Sequence, residues 1–166
     1  MKNRAKMTES TSPRVSQILM TLTYAIGFVG AFIGFLTLDT GKLLPLSALL
    51  AVGITGILSF IRHAIFNRSD AINGGWDYGV VNNFQIEVGL ANLAWGIYAI
   101  LAVVLNWGQQ AIAASFLISG MYFAGVVFLI VISKDFSKRK LSGLIGIGSW
   151  AVVTIWIGWA SMSLAS

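Results

Sequence analysis

The chain contains no cysteine. That excludes disulfides, thiolate metal sites, cysteine nucleophiles and covalent haem attachment, and it leaves the redox compartment open. Charge is scarce too. Charged residues make up 10% of the 166 positions, where about 25% is usual in a soluble domain. Hydrophobic residues make up 57%, and the mean hydropathy is +0.81. Only lipid solvates so apolar a surface, so the chain reads as an integral membrane protein.

Reaction signatures are missing as well. There is no phosphate-binding glycine loop, no HExxH and no GxSxG; Ser119-Gly120 lacks the first glycine of that last motif. No paired carboxylates stand within the apolar stretches, and there is one histidine, His63. A single histidine makes no zinc site. The expectation is a non-enzyme with neither metal nor cofactor. A net charge of +5 raises nucleic acid as a partner, but no binding module accompanies it, so no nucleic-acid role is expected.

What is present is five apolar stretches: Val15–Leu38, Leu43–Phe66, Phe84–Leu105, Gln110–Ser133 and Leu141–Ser161. Each holds about 20 residues or more, enough at about 1.5 Å per residue to cross a hydrocarbon core of about 30 Å. Backbone amides find no water there, so helices are expected, and the period-two alternation of barrel strands is absent. The predicted fold is an all-α bundle of five transmembrane helices over residues 15–166, behind a polar, disordered tail, 1–14.

Lysine and arginine orient it. Ten of the eleven fall in alternate regions: Lys2, Arg4, Lys6 and Arg14; then Arg62 and Arg68; then Lys134, Lys138, Arg139 and Lys140. Only Lys42 lies on the other side. Positive residues stay cytoplasmic on insertion, which puts the N-terminus inside and the C-terminus outside. The first stretch exceeds the about 7–15 apolar residues of a signal peptide and has no clear cleavage site, so it is expected to be retained. Lys138, Arg139 and Lys140 suit contact with anionic lipid.

Small residues mark packing faces. Gly30/Gly34 form a GxxxG, and Gly53, Gly56, Gly89, Gly96 and Gly146 are further candidates. Such residues let helices approach closely. Packing within the bundle is the plainer reading; dimerisation through Gly30/Gly34 is the sharper one.

Polar residues converge near one end. Thr55, Gly56, Ser59, Arg62 and His63 share an arc of roughly 120° on the second stretch. On the third, Gln85, Gly89, Asn92 and Gly96 form one stripe, and Glu87 lies nearly opposite. Asn82 and Gln85 have capping-box spacing, so Glu87 reads either as an anion near a helix start or as an intramembrane carboxylate partnered by Arg62. Asn92 is expected to hydrogen-bond between helices. His63 is either a hydrogen-bonded interfacial residue or a proton relay. Arg62, His63, Gln85, Glu87 and Asn92 are therefore the candidate ligand or proton site.

Asn67 to Asn83 is the one long connection. Ser69 or Asp70 is positioned to cap a short surface helix there. Trp76 and Tyr78 suit the interfacial aromatic belt. Asp70, Trp76, Asp77 and Tyr78 are otherwise candidates for a loop over the site.

The stretch "FNRSDAINGGWDYGVVNNFQIEVGLANLAWGIYAIL" resembles an uncharacterised family of small multi-pass prokaryotic membrane proteins with a GW…FQxEVGxANLxxG motif. The matching residues are Gly75, Trp76, Phe84, Gln85, Glu87, Val88, Gly89, Ala91, Asn92, Leu93 and Gly96. The family's Gly-His is Arg62-His63 here, its Ser-Pro is Asn82-Asn83, and a later histidine has no counterpart. More distantly the chain is similar to DoxX-type four-helix proteins, some linked to quinone or thiol oxidation. The resemblance implies a helical bundle in a prokaryotic inner (cytoplasmic) membrane and no particular activity. The functional expectation is an accessory or homo-oligomeric membrane component. A small transporter or proton-coupled carrier and a membrane redox subunit are the alternatives.

Overall fold

The computed structural model describes residues 12–75, 83–132 and 138–164. Among them there are six helices and no strand: α1 Pro13–Leu36, α2 Leu44–Ile65, α3 Asn67–Gly74, α4 Asn83–Val104, α5 Gln109–Ile132 and α6 Lys138–Leu164. Five are long and apolar enough to cross a membrane; in α6 the apolar segment is Leu144–Leu164. α6 starts earlier than its apolar run because Lys and Arg are good helix formers that need no lipid. The expected disordered tail lies almost wholly outside the described residues.

α1 begins on Pro13, whose missing N–H costs nothing at a helix start. Its buried face is small: Ser16, Gly27, Gly30, Ala31 and Gly34. A Cβ on Gly30 would lie 2.5 Å from the Ala51 backbone nitrogen, and one on Gly34 would collide with Ser47 Oγ. Ser47 Oγ also donates to the Gly30 carbonyl at 2.7 Å. The Gly30/Gly34 face is therefore covered by this chain's own α2. Gly146 differs from expectation, since a Cβ there meets nothing within 4 Å.

α2 is not a uniform α-helix. Leu49–Ile54 and Ile61–Ile65 are π-helical, and the second segment closes with Phe66 N–H on the Ile61 carbonyl at 2.9 Å. Such wide turns rotate the register of the residues beyond them and are frequent at functional sites. α4 packs closely against this helix. A Cβ on Gly56 would lie 2.6 Å from the Asn92 carbonyl oxygen, one on Gly89 3.0 Å from the Ala64 nitrogen, and one on Gly96 3.0 Å from the Gly53 carbonyl oxygen. The core between them is built from Ala48, Ala51, Val52, Trp95, Ala99 and Ala102. Large apolar side chains such as Phe28, Phe32, Phe128, Val152 and Trp159 face outward, in keeping with helices apolar enough to cross a membrane.

α5 and α6 pair along their lengths, with Gly120 against Ile155 and Gly158 against Ala113. This hairpin meets α2 chiefly through Leu44–Ala48. Toward the Arg62 end the two halves of the molecule are parted by a cavity that opens to the outside past Tyr24, Phe84, Met121 and Phe128.

Candidate functional site

The polar centre of the molecule is Asp70. Phe66 breaks the α2 geometry at φ −100°, ψ 37°, and α3 then starts at Asn67. Asp70 falls in the first turn of α3, where the helix dipole favours an anion. Its side chain is turned into the bundle, and donors from three helices converge on it. Ser16 Oγ of α1 donates to Oδ1 at 2.7 Å, and Gln85 Nε2 of α4 donates to Oδ2 at 2.9 Å. From α2, His63 Nδ1 stands 2.8 Å from Oδ2 and Arg62 Nε 3.4 Å from Oδ1. Neither of these last two N–H groups is aimed squarely at its oxygen, so they act chiefly through charge and dipole. Arg62 Nη2 lies 2.6 Å from His63 Nε2. A guanidinium can only donate, so Nε2 accepts and the ring proton sits on Nδ1, facing the carboxylate.

Burial of Asp70 alone would push its carboxyl up. The His63 contact, the Arg62 guanidinium and the Ser16 hydroxyl outweigh it and hold the acid at about 2, below its ordinary 3.8. The group is thus a carboxylate at every physiological pH.

The expected Arg62–Glu87 pair is not formed. Asp70 is carried back beneath α2 by the short helix and takes Arg62 first. Gln85 and Glu87 are two residues apart, about 200° around a helix, so the phase of α4 that buries Gln85 leaves Glu87 exposed. Among the described residues Glu87 has neither an ion pair nor a hydrogen bond. Asn92 is buried, but its Nδ2 donates to the Val88 carbonyl of its own helix at 2.6 Å rather than between helices. Asp70 is not a cap; it is the hub, and Ser16 completes it. Nothing in the expected site named Ser16, although its spacing from Gly27, Gly30 and Gly34 places it on the same buried face. Trp76, Asp77 and Tyr78 lie outside the described residues.

The cavity beside this hub measures about 1040 Å³. Its polar side is the expected α2 arc, Thr55, Gly56, Ser59, Arg62 and His63, joined by Gln85 and Asn92. Its opposite wall is aromatic. Trp95 stacks at a tilt on Tyr122 with ring centroids 4.5 Å apart, Phe123 lies 6.0 Å from Trp95, and Trp150 of α6 also lines the space. Glu87 stands on its lining as well. No group of three histidine, cysteine, aspartate or glutamate residues suited to a metal occurs among the described residues.

The chain belongs to the family of unknown function DUF6790. The family model matches residues 16–134. In this DUF6790 protein the matched segment begins on Ser16 and takes in every member of the Asp70 hub, Glu87 and the α5 wall of the cavity. It ends before α6. No curated protein and no solved structure matches the chain.

Proposed function

We propose that this DUF6790 protein is a multi-pass protein of a prokaryotic cytoplasmic membrane that binds a lipophilic small molecule between its helices and acts as a carrier for it, without catalysing a reaction. The observation that carries this reading is the cavity: at about 1040 Å³ it is at the upper end of drug-sized pockets, about 300–1,000 Å³. Polar side chains gathered on one side and aromatic rings on the other suit a molecule with an apolar body and a polar or charged part.

The hub is the frame of the cavity rather than its chemistry. Asp70 ties α1, α2 and α4 together at one end, while α5 and α6 are held at the other. The reading as a non-enzyme rests on the same geometry. Both ring nitrogens of His63 are engaged, by Asp70 and by Arg62, and Ser16 donates to Asp70 rather than to His63. No activated nucleophile results. In the orientation given by the basic residues, the Arg62 end faces the cytoplasmic leaflet.

Gly125 offers a clean test. It lines the cavity, and a Cβ there meets nothing within 4 Å. Gly125→Phe should therefore fill the space without straining the bundle. The purified protein should be stabilised against heat, saturably, by at least one member of a panel of triphenyl- and tetraphenyl-substituted compounds, and Gly125→Phe should lose that response. Equal stabilisation of both proteins by every compound would mean that the cavity is not a binding site.

A further inference from the structure

We infer that the occupant of this cavity is a lipophilic monocation and that Glu87 is its counter-charge. This rests on the cavity being a ligand site, and its warrant is the set of charges placed around it. Among the described residues two basic-type side chains line the space, Arg62 and His63. Arg62 is neutralised by Asp70 at 3.4 Å, and His63 is held as the neutral Nδ1–H form between the two. Among the described residues the only other charged side chain on the lining is Glu87, and from α6 Ile147 and Trp150 line it. The hub sums to zero and Glu87 remains, without an ion pair or hydrogen bond among the described residues. Among the described residues the space therefore carries one uncompensated negative charge.

The walls agree with this sign. Trp95, Tyr122, Phe123 and Trp150 present aromatic surface to the same space. Ring faces are negative, and tryptophan is the strongest of them toward a cation. An anion would meet Glu87 with the wrong sign, and a neutral lipophile would gain nothing from it. A delocalised cation with an apolar body satisfies both at once. A compact hydrated cation does not, since the lining gives it few oxygens to replace its water.

The test compares three ligands of one shape and three charges: tetraphenylphosphonium, tetraphenylmethane and tetraphenylborate. Each is titrated against the detergent-solubilised full chain, with thermal stabilisation as the readout. Tetraphenylphosphonium should bind about tenfold or more tightly than the neutral compound, and the borate weakest. Glu87→Gln should erase the cation's advantage, a loss of about tenfold, between that of an exposed pair and a buried one, while leaving the response to tetraphenylmethane unchanged. That unchanged response also certifies that the variant is folded. Glu87→Asp should retain a preference for the cation. If the neutral or anionic compound binds as well as the cation, or Glu87→Gln binds the cation as wild type does, the assignment of charge is wrong and the cavity reading stands. If none of the three responds to Gly125→Phe, the cavity reading itself falls, and this inference with it.

Discussion

Replacing Asp70 by asparagine changes one atom and should unsettle three helices. The wild-type carboxylate accepts from Ser16 and Gln85 and faces His63 and Arg62. Its side chain is 9% exposed, so screening by solvent removes little. An acid held at about 2 in the fold against 3.8 in the unfolded chain contributes about 2 kcal/mol, at about 1.4 kcal/mol per tenfold change in acidity. Asparagine loses this and does more. Its NH2 group must face one of the four donors, and Arg62 is left as a half-buried cation without an anion. Orphaning a buried charge costs about 3–5 kcal/mol; with Arg62 not fully buried, about 3 kcal/mol is expected for Asp70→Asn. Unfolding of the detergent-solubilised protein, by heat or by titration with a denaturing detergent, measures it. The pH dependence is the sharper check. Because the folded acid is the stronger one, unfolding takes up a proton between the two values, so stability is full above about pH 5 and falls as the pH drops toward 2. Asp70→Asn should lack that part of the slope. Adding Arg62→Gln to Asp70→Asn should cost less than the sum of the two single changes, by about 1 kcal/mol or more. A variant within about 0.5 kcal/mol of wild type, or one with an unchanged acid slope, would refute the account of the hub.

Four further outcomes are expected. Ser16→Ala should cost about 1–2 kcal/mol by the same unfolding measurement, because a buried carboxylate oxygen loses its α1 donor; a neutral result would mean that α1 is not tied to α3 through this bond. Gly56→Val should prevent accumulation of folded protein, since even its Cβ would lie 2.6 Å from the Asn92 carbonyl, whereas Gly125→Ala should be neutral or stabilise by up to about 1 kcal/mol from helix propensity. A reporter fused to the C-terminus should be active only outside the cytoplasm, and cytoplasmic signal there would reverse the orientation drawn from the basic residues.

The helices were legible because lipid imposes a simple demand on sequence. A run such as Gln110–Ser133 must be apolar throughout and long enough to cross, and the observed Gln109–Ile132 departs from it by one residue at each end. The polar arc of α2 was legible for a related reason. Thr55, Ser59, Arg62 and His63 recur at helical spacing, and all four line the cavity. Asp70 was harder to place. It sits in a polar stretch where no periodicity assigns it a side, and a short polar helix gives no hint of which face turns inward. The choice between Glu87 and Asp70 as the partner of Arg62 was likewise closed to sequence. Both are acidic, both stand near the same end, and only the break at Phe66 and the return of α3 decide which one arrives.

The amino-acid order alone thus determined the number of membrane-length helices, their limits to within a few residues, their apolar character and the end at which polar side chains gather, because each depends on local hydropathy and helical repeat. Tertiary structure decided that Asp70 rather than Glu87 neutralises Arg62, that Ser16 joins them from 54 positions away, and that the helices leave a cavity instead of closing. Those outcomes depend on the angle and register at which separate helices meet. Wide turns in α2, a short return helix and a hairpin held at its far end set these, and no single segment encodes them.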